Sequence, residues 1–263
     1  YASAGEYTIK IDGTLRGFQF ANGGDKLKIK DVSNWGVMRF DRLRAFQGCT
    51  NLTCSATDAV VVIGTSLGST FNQCANFNGA IGNWDVSNVT NMSGMFRDAS
   101  SFNQNLNDWD VSNNRSFNNM FQGSPFDSDI SDWVIRTDAD VYMSGMFISC
   151  PFNQDISGWD VSRVIIMSFM FRTFAGVENV FNQDISGWNV SGVINMESMF
   201  RDNEVFDQNL GSWDITSVNN FDDFIRGGQL STANYDALLI GWEAQNVQDD
   251  ITINFGNSQY SSG

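Results

Sequence analysis

Aspartates recurring at fixed intervals are the residues of this 263-residue sequence best placed to do chemistry. Asp129, Asp155 and Asp184 each stand directly before an isoleucine, and Asp85, Asp110, Asp160 and Asp214 directly after a tryptophan. Carboxylates stacked at such intervals repel one another unless they are hydrated, hydrogen-bonded or bridged by a cation. They are therefore candidate surface ligands for a protein, a glycan or Ca²⁺. The competing reading is that Asx side chains satisfy the amides of their own turns. Paired carboxylates also hydrolyse glycosides, but here the positions repeat from unit to unit and no unique cluster stands apart. Histidine is absent altogether, which removes the commonest general base, the Ser-His and Cys-His nucleophile pairs and His-containing zinc sites. No stretch matches an EF-hand loop or a glycine-rich Ca²⁺ nonapeptide. The expectation is a protein that is not an enzyme and has no resident cofactor, with Ca²⁺ the one ion for which candidate ligands exist.

The other reactive side chains are four cysteines, Cys49, Cys54, Cys74 and Cys150, with no Cys-x-x-Cys metal spacing. Cys49, Cys74 and Cys150 each follow a phenylalanine by three residues, where Ala99 stands in another unit, so the spacing predicts a small buried position. A disulfide between Cys49 and Cys74, or between Cys49 and Cys54, is sterically open. Asn51, Asn88, Asn91, Asn114 and Asn189 begin Asn-x-Ser/Thr sequons, several of which recur simply because the surrounding pattern does.

Positioning these residues falls to an internal repeat. A phenylalanine, three polar or small residues, Ile or Leu, two more small or polar residues, Trp, Asp or Asn, and a β-branched residue recur, followed by Met-x-x-Met-Phe. The leading phenylalanines are Phe77, Phe102, Phe126, Phe152, Phe181 and Phe206, spaced by 25, 24, 26, 29 and 25 residues. Trp84, Trp109, Trp133, Trp159, Trp188 and Trp213 fall in register. One unit cannot bury both of its apolar stripes, whereas stacked units bury each as a continuous column. The pattern predicts a repeat solenoid of leucine-rich-repeat type. Each coil of roughly 25 residues would carry a short parallel strand around Ile-x-x-Trp-x-Val and a short helical turn at Met-x-x-Met-Phe. Six such coils would span about 30 Å.

The organisation read from the sequence is one solenoid domain over 1–263. It begins with an N-terminal cap at 1–34, in which Tyr7, Ile9, Ile11, Phe18 and Phe20 with Gly13 between them read as a β-hairpin. Degenerate coils follow at 35–76, six repeats at 77–225 and a C-terminal cap at 226–263. In that last cap Ser231 or Thr232 can N-cap a helix carrying Tyr235, Leu238, Leu239 and Trp242, ahead of a strand at Ile251, Ile253 and Phe255. The 29-residue spacing reflects an insertion at 173–179, expected as a surface bulge.

Net charge bounds the partners. At −15 the chain repels phosphate backbones and anionic lipid, so nucleic acid and direct membrane insertion are not expected. There is no apolar run long enough to span a bilayer. A start at Tyr1 suggests a processed or trimmed terminus, and the end at Gly263, soon after the last repeat, one module of a longer protein.

The phrases Phe-Asn-Gln-Asp-Ile-Ser-Gly-Trp-Asp-Val-Ser at 152–162, its near copy at 181–191 with Asn189 for Asp, and Asn-Val-Thr-Asn-Met-Ser-Gly-Met-Phe at 88–96 carry a family resemblance. They resemble the BspA-like leucine-rich-repeat surface proteins, above all the subgroup of mycoplasma lipoproteins and marine bacteria. Phe-Gln-Gly-Cys-Thr-Asn-Leu at 46–52 matches the other common form of that repeat, and Asn-Tyr-Asp-Ala-Leu-Leu-Ile-Gly-Trp at 234–242 looks like the segment that follows its last copy. The resemblance implies a secreted or cell-surface protein of a family associated with adhesion. Its partners would be an extracellular protein, glycan or cell-surface ligand, or neighbouring modules of the same protein. The alternative role is a structural spacer or a subunit of a surface filament or appendage. Ice binding would need a regular file of threonines, which this sequence lacks.

Overall fold

The computed structural model describes residues 5–11, 18–36, 43–60, 62–174, 176–177 and 180–261. Its repeating segments lie one on another in parallel register. Single-residue bridges join Ser66 to Asn91, Asn91 to Ser116 and Ser116 to Tyr142, and further on Ile166 to Asn195 and Asn195 to Asn220. Between them β3 (Val141–Tyr142) pairs in parallel with β4 (Val164–Ile166), and near the start β1 (Asp31–Val32) pairs in parallel with β2 (Thr53–Cys54). One α-helix, α1 (Thr232–Glu243), completes the described elements.

Strands stay this short because turns dominate each unit. In the unit 77–101 the chain doubles back at Ile81–Trp84, Val86–Val89, Met92–Met95 and Phe96–Ala99, each closed by an N–H bonded to the carbonyl three residues earlier at 2.8–3.1 Å. Alternate amides are then free to bind the next unit. Met92, Gly94, Phe96 and Asp98 donate to Ser116, Asn118, Met120 and Gln122. The same four-rung ladder recurs down the stack, with every N–H pointing toward the C-terminal end.

That ladder corrects two expectations. Parallel pairing runs chiefly through the residue before the first methionine; Ile-x-x-Trp-x-Val is occupied by turns, and there only Asp85 bridges a neighbour among the described residues, donating to Val60 and accepting from Val62. Met-x-x-Met-Phe is not helical either, because two positions four apart hold a left-handed backbone. They are Gly94 and Asp98 in one unit, Asn119 and Gly123 in the next and Gly145 and Ser149 in the one after. Positive φ breaks a helix but suits the third position of a turn, and Gly, Asn and Asp tolerate it best. Phe169 holds φ +61 in the same column, a conformation that a bulky side chain rarely adopts.

The core matches the predicted columns. Tryptophans from Trp84 to Trp213 and the repeat methionines are buried, as are both sets of phenylalanines. The closing ring of one unit stacks on the leading ring of the next, Phe96 on Phe102 at 3.7 Å and Phe121 on Phe126 at 3.9 Å. Each column also continues through the molecule, as from Phe96 to Phe121 at 5.7 Å. The Ile–Trp turn swings the tryptophan inward, and its indole N–H reaches the Ile or Leu carbonyl of the preceding unit. Trp109 thus bonds Ile81, and Trp159 bonds Ile130.

The ends differ from the expected caps. Residues 18–22 are not paired as a hairpin arm, and the segment with Gly13 lies outside the described residues. Phe20 and Asn22 instead donate to Ala45 and Gln47 as one more turn of the stack. At the other end α1 begins at an N-cap Ser231, the first of the two candidates Ser231 and Thr232, and Trp242 continues the tryptophan column by bonding Leu210. The expected strand at Ile251, Ile253 and Phe255 is absent; Asn254 supplies one carbonyl to Ile225 and the chain turns at 256–257. At the insertion, Phe174 and Val177 are exposed.

Candidate binding surface

All seven candidate aspartates are exposed, and each is tied into a turn. Oδ1 of Asp129, Asp155 and Asp184 accepts from the amide two residues on, at Ser131, Ser157 and Ser186. Oδ1 of Asp85, Asp110 and Asp214 accepts both the amide and the hydroxyl of Ser87, Ser112 and Thr216, and Asp160 accepts the amide of Ser162. Asparagine fills the equivalent places with the same geometry: Asn105 and Asn209 before the Leu positions, and Asn189 after Trp188. A neutral amide oxygen thus serves where a carboxylate stands elsewhere, so turn capping accounts for the Asx repeat and leaves the negative charge unexplained.

Those bonds set the electrostatics. The hydroxyl and amide of Ser87 hold the Asp85 carboxyl below the usual carboxylate range; Ser162, Ser186 and Thr216 do the same for Asp160, Asp184 and Asp214. The Ser157 amide leads for Asp155. Asp155 in turn opposes the effect at Asp184, as expected for like charges in adjacent units.

The two columns differ in continuity. Asp129, Asp155 and Asp184 occupy three consecutive units. The column after tryptophan is interrupted by Val134, exposed to 67%, and by Asn189, leaving Asp160 between two uncharged neighbours. No three Cys, Asp or Glu side chains converge on a point that could hold a metal ion among the described residues. The cysteines do not pair: all four are free. Burial pushes the thiols of Cys49 and Cys150 up to about 12 and that of Cys74 higher still. Of the sequon asparagines Asn114 is fully buried, which closes it to a glycan.

A second polar ladder was not singled out in the sequence. The residue after each leading phenylalanine accepts, through its side-chain oxygen, the backbone amide of the equivalent residue one unit on. Asn78 receives Asn103, Asn103 receives Asp127, Asp127 receives Asn153, Asn153 receives Asn182, and Asn182 receives Asp207. Gln104, Gln154, Gln183 and Gln208 add their amide groups to the same oxygens. The signal was present as an Asn or Asp after every leading phenylalanine.

A profile of the family described as Mycoplasma protein of unknown function, DUF285, matches residues 40–150 and again residues 141–261. The chain belongs to the DUF285 family. Two successive matches fit an internally repeated DUF285 chain, and each covers about four stacked units. No curated protein and no solved structure matches it. No described helix of this DUF285 protein is long and apolar enough to cross a membrane.

Proposed function

We propose that this protein is a non-catalytic extracellular module, secreted or held at the cell surface, that binds a protein or glycan ligand along its acidic flank. In this reading the stack is a repeat solenoid of leucine-rich-repeat type, a single domain of the BspA-like kind that the sequence phrases resemble. One observation carries the proposal: the exposed aspartates are held in equivalent turns unit after unit, with none set apart. A reaction centre needs one cluster unlike its surroundings, whereas a rigid file of like charges suits an extended cationic or hydroxyl-rich ligand. Since asparagine would cap the turns as well, the charge itself is the feature left for recognition.

The test is a binding screen of the chain against matrix proteins, glycans and whole cells, with and without Ca²⁺. Saturable binding should be lost on changing Asp129, Asp155 and Asp184 together to Asn, which keeps the turn bonds. Binding that ignores the triple change would move recognition off this flank, and no binding to any of the ligands would count against the reading. An effect of chelator would bring Ca²⁺ in as a bridge between neighbouring carboxylates.

A second reading, a structural spacer or filament subunit, is favoured by apolar side chains exposed at the two ends, Ile9 and Ile11 at one and Leu239, Ile240 and Val247 at the other.

A further inference from the structure

We propose that copies of this chain dock head to tail, the N-terminal edge of one copy closing the C-terminal edge of the next. This rests on the filament reading and names its interface.

Along the Met-x-x-Met-Phe turns the backbone gives the two ends opposite polarity: each rung runs from an N–H to a carbonyl of the following unit, as from Met92 to Ser116, whereas bonds beside the bridge column, such as Thr90 to Thr65 and Arg115 to Thr90, run the other way. On the face of those turns the first turn of the stack therefore presents acceptors outward and the last presents donors. The carbonyls of Gln19 and Ala21 accept nothing among the described residues, and the N–H groups of Ile253 and Phe255 donate to nothing among them. An open ladder edge is a template for another copy.

Side chains at the ends match as well. At the C-terminal edge a cleft of about 420 Å³ lies between α1 and the following segment, lined by Leu239, Trp242, Val247, Ile253 and Phe255 with Glu243. Ile240, which also lines it, is 73% exposed. The N-terminal edge offers the apolar complement in Tyr7, Ile9, which is 71% exposed, Ile11 and Leu27.

Charge selects the pairing of unlike ends. All four lysines of the chain lie within residues 10–30, and residues 1–44 hold eight Lys and Arg against five Asp and Glu. Residues 229–261 hold four acidic side chains, Asp236, Glu243, Asp249 and Asp250, and no basic one. Residues 45–228 carry 21 acidic groups against seven basic, so copies repel side by side. The apolar cleft and open donors then distinguish the C-terminal edge from the acidic flank. A contact between unlike surfaces that does not close on itself extends into a filament.

Sedimentation velocity of the 263-residue chain, over a wide concentration range at low and high salt, tests this. The expected result is growth past a dimer, with association weakened by at least about tenfold on raising salt. Ile240→Asp should block the C-terminal edge, and the pair Lys10→Glu and Lys28→Glu the N-terminal edge. Both lie at exposed sites, and circular dichroism and urea midpoints matching the wild type would show that they fold. Each variant alone should be monomeric, while an equimolar mixture should form dimers and nothing larger, because one competent edge of each kind remains. A wild type that stays monomeric overturns this interface and the filament reading together. Variants that assemble as the wild type does overturn the interface alone, as does a mixture that forms no dimer.

Discussion

Asp160 and Asn189 occupy equivalent turns in adjacent units and accept the same amide two residues on. Asp160→Asn should therefore leave the urea midpoint almost unchanged, while Asp160→Ala, which strips the acceptor from the Ser162 amide, should cost about 1 kcal/mol. The charge has its own signature. The depressed carboxyls of Asp85, Asp155, Asp160, Asp184 and Asp214 contribute stability that is present in full above the ordinary aspartate range, near about pH 4. It is lost as pH falls through their lowered folded-state values. Urea midpoints measured against pH should be flat above that range and fall below it, and the Asp-to-Asn triple variant should fall less. At the cysteines, burial and raised thiol pKa values predict four free thiols by non-reducing mass spectrometry and slow alkylation until the chain unfolds. Loss of two mass units would show a disulfide instead. Spacing alone located the small cysteine position but could not decide between thiol and disulfide, because neighbouring units lie within bonding reach in either state.

Turns, rather than helices or long strands, are the elements of this fold, and their left-handed positions are where sequence and structure parted. Met-x-x-Met-Phe keeps its apolar residues on one face whether the backbone is a helical turn or two consecutive β-turns, so periodicity could not separate them. Gly94 and Gly145, in the middle of the supposed helical turn, were the sign of the second case. Those two glycines also test it. A Cβ on Gly94, at φ +60, would meet nothing closer than Ser69 Oγ at 3.4 Å, so Gly94→Ala should cost only the backbone term of about 1 kcal/mol. At Gly145, φ +63, the same atom would fall 2.4 Å from Asn119 Oδ1 and 2.7 Å from Ile148 Cδ1. Gly145→Ala should therefore lower stability by about 2–3 kcal/mol, measured by urea denaturation. The helix at the C-terminal end was readable because an N-cap at Ser231 or Thr232 and the four-residue spacing of Leu238 and Trp242 both point to a helix, and the structure selects Ser231 as the cap. At the N-terminal end, alternation at Phe18 and Phe20 predicts an extended segment without saying which neighbour it lies against, and the described residues 20–22 lie against residues 44–47.

Across the whole molecule, stability passes from unit to unit through stacked rings and the amide ladder, since each unit bonds mainly its neighbours. Phe126 stacks on Phe121 and lies between Phe102 and Phe152. Phe126→Ala should cost about 3–5 kcal/mol and separate the unfolding of the two flanking halves in hydrogen exchange. In the unaltered protein, peptides from 77–200 should exchange slowest and those from 5–11 and 251–261 fastest, because the latter bury little. The asparagine ladder has a consequence for how such a chain changes over generations. Its oxygen at each level receives an amide from the level above, and that exchange is the same from Asn78 to Asn182. A recombination that removed residues 102–125 as a block would present Asn78 with the amide of Asp127 in place of that of Asn103 and keep the rings in sequence. Length is therefore a quantity this gene can gain or lose in whole units of roughly 25 residues, whereas a shift of a few residues must be absorbed within a single unit, as the 29-residue spacing from Phe152 to Phe181 is.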